Sequence, residues 1–96
     1  KKNVVLVNTA RGAVCDEAEI ARAIKEGKLA AYGCDVYSAE PFPTSHPYYE
    51  IKDMPNVCLT PHMAWASFEA RSRVVLEMAE NIKAFATGTL RNRVEL

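Results

Sequence analysis

The fold is decided by residues 3–36, NVVLVNTARGAVCDEAEIARAIKEGKLAAYGCDV, which contain a strand, a helix and a second strand. The apolar, mostly β-branched run Val4–Val7 is typical of a strand that is buried on both faces of a parallel sheet. A helix is predicted to begin after Asp16, which can cap it, and to end at Gly27. Leu29–Val36 is predicted to form the second strand. Because a strand, a helix and a strand within about 35 residues make one βαβ unit, we assign the fold class α/β.

The remaining residues extend this unit. Tyr37–Asn56 holds four of the five prolines and is predicted to be an irregular loop, and long ordered loops tend to be functional. Val57–Leu59 is predicted to be a third strand, Ser67 to cap a long helix that ends near Ala86, and Asn92–Leu96 to pair as an edge strand. The predicted architecture is therefore the second half of a doubly wound parallel sheet, followed by a long C-terminal helix.

Composition excludes several classes of function. Twelve basic residues balance twelve acidic ones, which argues against a general electrostatic role on nucleic acid or on anionic membranes. No apolar run has the length of a membrane span. Three cysteines cannot all pair within the chain, and no CxxC occurs, so we expect reduced thiols in a cytoplasmic protein. Cys58 and His62 are four residues apart, but the other half of a metal site is missing, so no metal is predicted.

Four polar side chains lie at or shortly after predicted strand ends, where ligands bind in doubly wound sheets. Arg11 can hold a carboxylate in a bidentate manner, although a surface arginine is the plainer interpretation. Asp35 follows a buried strand directly and therefore needs a partner. For Glu40 the alternative interpretation is a solvated loop residue. For His62 the alternative is a structural role, which is the more frequent role of a lone histidine. His46, in the proline-flanked loop, is interpreted as a surface residue.

Together these residues form an ordered pattern. The segments are NTARG at 8–12, CDVY at 34–37, EP at 40–41 and TPH at 60–62. The pattern resembles the D-2-hydroxyacid dehydrogenase family over nearly the whole chain. The segment HMAWA at 62–66 looks most like the glycerate dehydrogenase and hydroxypyruvate reductase branch.

The resemblance implies catalytic roles for three residues in a hydride transfer between NAD(P)H and a small 2-oxo or 2-hydroxy acid. Arg11 would bind the substrate carboxylate and polarise the adjacent carbonyl. His62 would be the general acid that protonates the carbonyl oxygen. Glu40 would pair with His62 and favour its charged form.

The resemblance also implies a set of residues around the nicotinamide of NAD, with NADP as an open alternative. Asp35 would hydrogen-bond the carboxamide, and backbone near the other positions would line the ring. The complete set is Thr9, Ala10, Arg11, Asp35, His62 and Ala64.

One family feature is missing, because the chain contains no GxGxxG phosphate-binding turn. We interpret the chain, which opens on Lys1 without a starting Met, as a fragment that is inactive alone. Residues 1–66 would be the C-terminal half of the NAD-binding domain, and residues 67–96 would return toward the substrate domain. The full-length protein is expected to be a homodimer. The alternative is a non-catalytic family relative that acts as a cofactor-sensing binding or regulatory module.

Overall fold

Three short strands form one parallel sheet. The structure is a computed structural model that describes residues 3–94. The strands are β1 (Val5–Asn8), β2 (Ala31–Cys34) and β3 (Val57–Leu59), and they lie in the order β1-β2-β3. Both pairings are parallel, with Asn8 opposite Cys34 and Cys34 opposite Leu59. All three strands therefore end at the same edge of the sheet, as the α/β prediction requires.

Helix α1 (Glu17–Lys25) connects β1 to β2. It begins where the sequence predicts, because the side chain of Asp16 accepts the N–H of Glu19 at 3.0 Å. It ends at Lys25, two residues before the predicted end at Gly27, which takes a φ of 68° that suits glycine. The backbone N–H groups of Lys28 and Leu29 still bond to the carbonyl of Ala23 in α1. For this reason β2 begins at Ala31, two residues after the predicted start at Leu29.

The core lies between α1 and one face of the sheet. Ala21 and Ile24 of α1 pack with Tyr32 and Cys34 of β2 in a buried cluster. Tyr48 and Ile51 complete this cluster from the segment 37–56. That segment was predicted to be irregular, but it contains a short 3-10 helix, Pro47–Glu50, which contacts α1.

The two faces of β1 differ in burial. Val5 and Val7 are 62% and 65% exposed, so within residues 3–94 the apolar run Val4–Val7 is covered on one face and not on both. The reason is that α1 covers one face, whereas alternate side chains of a strand point to opposite faces. Leu6, which points the other way, is partly buried against the core.

Helix α2 (Phe68–Ala86) belongs to a second compact unit, since the chain divides between Ala64 and Trp65. Ser67 caps it by accepting the N–H of Ala70 at 3.1 Å, as predicted. No residue within Phe68–Ala86 is buried. Residues 92–94 form no strand, contrary to the prediction for the tail, whose last two residues lie outside the described range. None of the helices within residues 3–94 combines the length and apolar character of a membrane span.

Candidate functional site

The loop after β1 is fixed by a buried asparagine. The Oδ1 of Asn8 accepts the N–H of Ala10 at 3.1 Å, and its Nδ2 donates to the carbonyl of Arg11 at 3.0 Å. Because both polar ends of this amide bond to the loop, the backbone of Thr9, Ala10 and Arg11 has one defined course. The side chain of Arg11 is exposed, and its Nη1 donates to the carbonyl of Ala10 at 2.7 Å. The guanidinium is therefore presented at the carboxyl edge of the sheet.

Gly12 brings this loop against the loop that follows β2. A Cβ at Gly12 would lie 2.2 Å from the carbonyl carbon of Tyr37 and 2.3 Å from the nitrogen of Ser38. These are backbone atoms, so no larger residue fits without separating the two loops. Gly12 begins a short 3-10 helix, Gly12–Val14, and the close approach of the two loops requires a glycine at this position.

Glu40 and His62 are in direct contact. The Oε2 of Glu40 lies 2.6 Å from the Nδ1 of His62, and the two side chains are 37% and 35% exposed. The Oε1 of Glu40 accepts the N–H of Tyr37 at 2.9 Å, which fixes the orientation of the carboxylate. The hydrogen bond with His62, the N–H of Tyr37 and the charge of Arg11 all lower the pKa of Glu40. Glu40 is thus an anion held beside the imidazole.

Asp35 forms hydrogen bonds with residues on both sides of His62. It is buried, and its carboxylate accepts the hydroxyl of Thr60 at 2.5 Å and the N–H groups of Met63 and Ala64 at 2.8 Å each. Burial raises the pKa of Asp35, but these hydrogen bonds outweigh it and leave the pKa below its ordinary value. His62 itself has a φ of 53°, a left-handed conformation that costs a non-glycine residue free energy of order 1 kcal/mol. The Asp35 carboxylate stabilises this turn.

Tyr37 ties the ends of β2 and β3 together. Its hydroxyl lies 2.8 Å from the carbonyl oxygen of Thr60 and 3.1 Å from that of Cys34, and its single hydrogen can be donated to either. Burial raises the pKa of Tyr37 to about 12, so the phenol keeps this hydrogen at neutral pH. This hydrogen bond is a further link between the loops that carry Glu40 and His62, besides their own contact and the bonds of Asp35.

A mostly apolar groove of about 550 Å³ opens beside the Glu40–His62 pair. Its other walls include Tyr37, Phe42 and Leu59. Lys52 and Asp53 also line the groove and form a second charged pair. Mostly apolar walls with a few polar groups are typical of sites that bind small ligands.

The interpretation of His46 as a surface residue is wrong. It is 7% exposed, and its Nε2 lies 2.9 Å from the Oε2 of Glu17. Glu17 also accepts the backbone N–H of Ser38 at 2.9 Å and the hydroxyl of Ser38. The sequence gives no local signal for this arrangement, because Glu17 and His46 are 29 residues apart and belong to different elements.

The other predicted positions lie at the same edge. Thr9 and Ala10 directly follow β1, and Ala64 ends the turn after β3; all three are exposed. Within residues 3–94, no cluster of three or more histidine, cysteine, aspartate and glutamate side chains is placed to hold a metal ion. The sequence interpretation missed Asn8, Gly12 and Tyr37 as residues that position the site. The sequence signal available for them was their position within the segments NTARG at 8–12 and CDVY at 34–37.

Comparisons with known proteins identify the family of the chain. Residues 1–64 match the model of the D-isomer specific 2-hydroxyacid dehydrogenase, NAD binding domain, so the chain belongs to this family. It is 40% identical over 95 residues to a glycerate dehydrogenase of Methylorubrum extorquens, covering 99% of this chain and 30% of that protein. It is 44% identical over 88 residues to a glyoxylate reductase of Aeropyrum pernix, covering 92% of this chain and 25% of that protein.

A solved structure shows the same similarity. The NADPH-dependent glyoxylate/hydroxypyruvate reductase of Sinorhizobium meliloti, in complex with citrate, aligns with a TM-score of 0.70 and 35% identity. The alignment covers 97% of this chain and 29% of that one. The chain thus spans less than a third of the length of each of these three relatives. The predicted family and fold class are confirmed.

Proposed function

We propose that this chain supplies the catalytic edge of an NAD(P)-dependent D-2-hydroxyacid dehydrogenase. The enzyme reduces a small 2-oxo acid of the hydroxypyruvate or glyoxylate type, and oxidises the 2-hydroxy acid in the reverse direction. The observation that carries this proposal is the contact between Glu40 and His62 at the carboxyl edge of the sheet, with Arg11 near enough for its charge to lower the pKa of Glu40. An anion beside an imidazole favours catalysis over a purely binding role, since a binding module needs no proton donor.

Three residues have distinct roles in the proposed reaction. Arg11 binds the substrate carboxylate through its planar guanidinium and orients the carbonyl. His62 donates a proton to the carbonyl oxygen during reduction and accepts one from the hydroxyl during oxidation. Glu40 stabilises the protonated imidazole through the 2.6 Å contact. The nicotinamide cofactor, when bound, supplies or accepts the hydride.

The residues present suit the nicotinamide end of such a cofactor. The buried Asp35 carboxylate lies at the strand ends and bonds to the turn at Met63 and Ala64, and the backbone of Thr9 and Ala10 is exposed at the same edge. We therefore propose that the backbone near Thr9, Ala10 and Ala64 lines the ring. Asp35 would accept a hydrogen bond from the carboxamide, and its bonds to Met63 and Ala64 keep this surface in shape. A phosphate-binding GxGxxG turn is not part of this sequence.

We further propose a cytoplasmic location and a homodimeric full-length enzyme. The three free cysteines are consistent with a reducing compartment. The exposed Val5 and Val7 show that the sheet has an apolar face for further packing.

The test is a kinetic survey of the full-length protein. Hydroxypyruvate, glyoxylate and pyruvate are each assayed with NADH and with NADPH, for the wild type and for His62→Gln. We expect turnover of at least one 2-oxo acid and a loss of kcat of about 10²- to 10⁴-fold in His62→Gln. Glu50→Gln serves as the control, because Glu50 is an exposed partner of Lys25 on the surface. Full activity of His62→Gln would overturn the assignment of His62 as the acid.

A further inference from the structure

A second histidine–carboxylate pair joins α1 to the segment that follows β2. Glu17, at the first turn of α1, and His46 have side chains that are 10% and 5% exposed. The Oε1 of Glu17 accepts the N–H of Ser38, and its Oε2 accepts the hydroxyl of Ser38 and faces the Nε2 of His46. We call these three residues the Glu17 clamp.

The tautomer of His46 follows from its other contact. The Nδ1 of His46 accepts the backbone N–H of Tyr48 at 3.2 Å, so this nitrogen carries no hydrogen. The Nε2 therefore carries the hydrogen and donates it to Glu17. His46 is thus fixed at both nitrogens, and its ring also packs on Phe42 and Tyr37.

Ser38, one member of the Glu17 clamp, directly follows Tyr37, whose N–H fixes the Glu40 carboxylate. Ser38 is held by Glu17, and the preceding Tyr37 donates its N–H to Glu40, which contacts His62. The segment 37–40 is therefore held at two points, at Ser38 by Glu17 and at the N–H of Tyr37 by the Glu40 side chain. Fixing Ser38 limits the positions that the Glu40 carboxylate can take relative to the imidazole.

We propose that Glu17 and His46 are positioning residues for the reaction, because they hold the turn that aims Glu40 at His62. This inference rests on the proposed function. Its structural basis is the burial of an anion that accepts three hydrogen bonds, all directed at the segment 38–46. Burying a carboxylate costs free energy unless it is fully paired.

The chain offers a matched control for a merely structural role. Lys25 and Glu50 form an ion pair at 2.6 Å that also joins α1 to the segment after β2. Their side chains are 48% and 67% exposed, and the pair does not touch the turn that carries Glu40. Glu50→Gln therefore removes a link between the same two elements without altering the Glu17 clamp.

The experiment measures the pH dependence of kcat/KM for 2-oxo acid reduction in the full-length protein. The variants are Glu17→Gln, His46→Phe, Ser38→Ala and Glu50→Gln, each also combined with Glu40→Gln. Glu17→Gln places an amide where Ser38 and His46 both donate, and His46→Phe keeps the ring contacts but loses both nitrogens. His46→Gln retains a donor near the Nε2 position and tests rescue. Thermal unfolding of each variant is recorded alongside.

We expect Glu17→Gln and His46→Phe to lower kcat about tenfold, since misplacing a catalytic group by about 1 Å costs up to roughly 10²-fold. The alkaline limb of reduction should move to lower pH, by less than in Glu40→Gln. In the Glu40→Gln background the same changes should have little further effect, because the positioned group is already gone. His46→Gln should recover part of the loss. Ser38→Ala should act in the same direction more weakly.

Two results would overturn the inference. Glu50→Gln should keep the kcat and the alkaline limb of the wild type. If the Glu17 clamp variants also keep both and lose only thermal stability, the clamp is structural. If their effects add fully to that of Glu40→Gln, they do not act through Glu40. An unmoved limb in Glu40→Gln itself would instead refute the proposed function, and the positioning role with it.

Discussion

Replacing Gly12 with alanine tests how the site is assembled. The new Cβ would lie 2.2 Å from the carbonyl carbon of Tyr37 and 2.3 Å from the nitrogen of Ser38. An ordinary contact of a Cβ begins at 3.4 Å, so the loops must separate by 3.4 − 2.2 = 1.2 Å. Neither neighbour is a flexible side chain, so the backbone itself must move.

Two magnitudes follow from this displacement. Overpacking of this kind costs roughly 1–3 kcal/mol of folding stability. The displacement also moves Arg11 away from Glu40, and a misplacement of about 1 Å in an active site costs on the order of 10²-fold in rate. We therefore expect Gly12→Ala to lose both stability and, disproportionately, kcat/KM.

The assay compares Gly12→Ala with Gly27→Ala in the full-length protein. Gly27 has a φ of 68° and no neighbour within 4 Å of a built Cβ, so its substitution strains the backbone without crowding the site. We expect Gly27→Ala to lose about 1 kcal/mol and to keep the wild-type kcat/KM. Urea unfolding and 2-oxo acid kinetics measure both quantities. If Gly12→Ala kept the kcat/KM of Gly27→Ala, the close approach would not position Arg11, and the reasoning would be refuted.

Three further changes test individual residues. Arg11→Lys keeps the charge but loses the planar fork, so kcat/KM for the oxo acid should fall at least about tenfold, roughly 1.4 kcal/mol, with unchanged NADH affinity by fluorescence titration. Asp35→Asn puts an amide against the N–H donors of Met63 and Ala64, and urea unfolding should show a loss of about 1–3 kcal/mol; an unchanged midpoint would contradict this. Burial raises the pKa of Glu17, but its hydrogen bonds with Ser38 and His46 hold that pKa below its ordinary value of 4.5. Its stabilisation is therefore present above pH 4.5 and is lost as pH falls through the lower folded pKa, so the stability difference between wild type and Glu17→Gln should shrink in acid.

Local sequence signals predicted the elements that position the site. The apolar runs predicted all three strands, and Asp16 and Ser67 predicted both helix starts, because caps and β-branched runs act over a few residues. The strand ends then placed Arg11, Asp35 and His62 at one edge, since parallel strands of one sheet end together.

Long-range contacts were not predictable in the same way. The burial of His46 depends on Glu17, which lies on another element, and the need for Gly12 depends on the backbone of Tyr37. No property of the local sequence distinguishes such a histidine from a solvated one.

The contact between Glu40 and His62 is the part of the proposed reaction that can be tested most directly. The direct measurement is the pH profile of kcat/KM in both reaction directions, for the full-length wild type and for Glu40→Gln. Glutamine keeps the shape of the side chain but removes the charge that lies 2.6 Å from the Nδ1 of His62. We predict that the alkaline limb of reduction moves to lower pH and that the acid limb of oxidation moves the same way. Limbs that stay in place in both directions would show that Glu40 is a loop residue without influence on the acid.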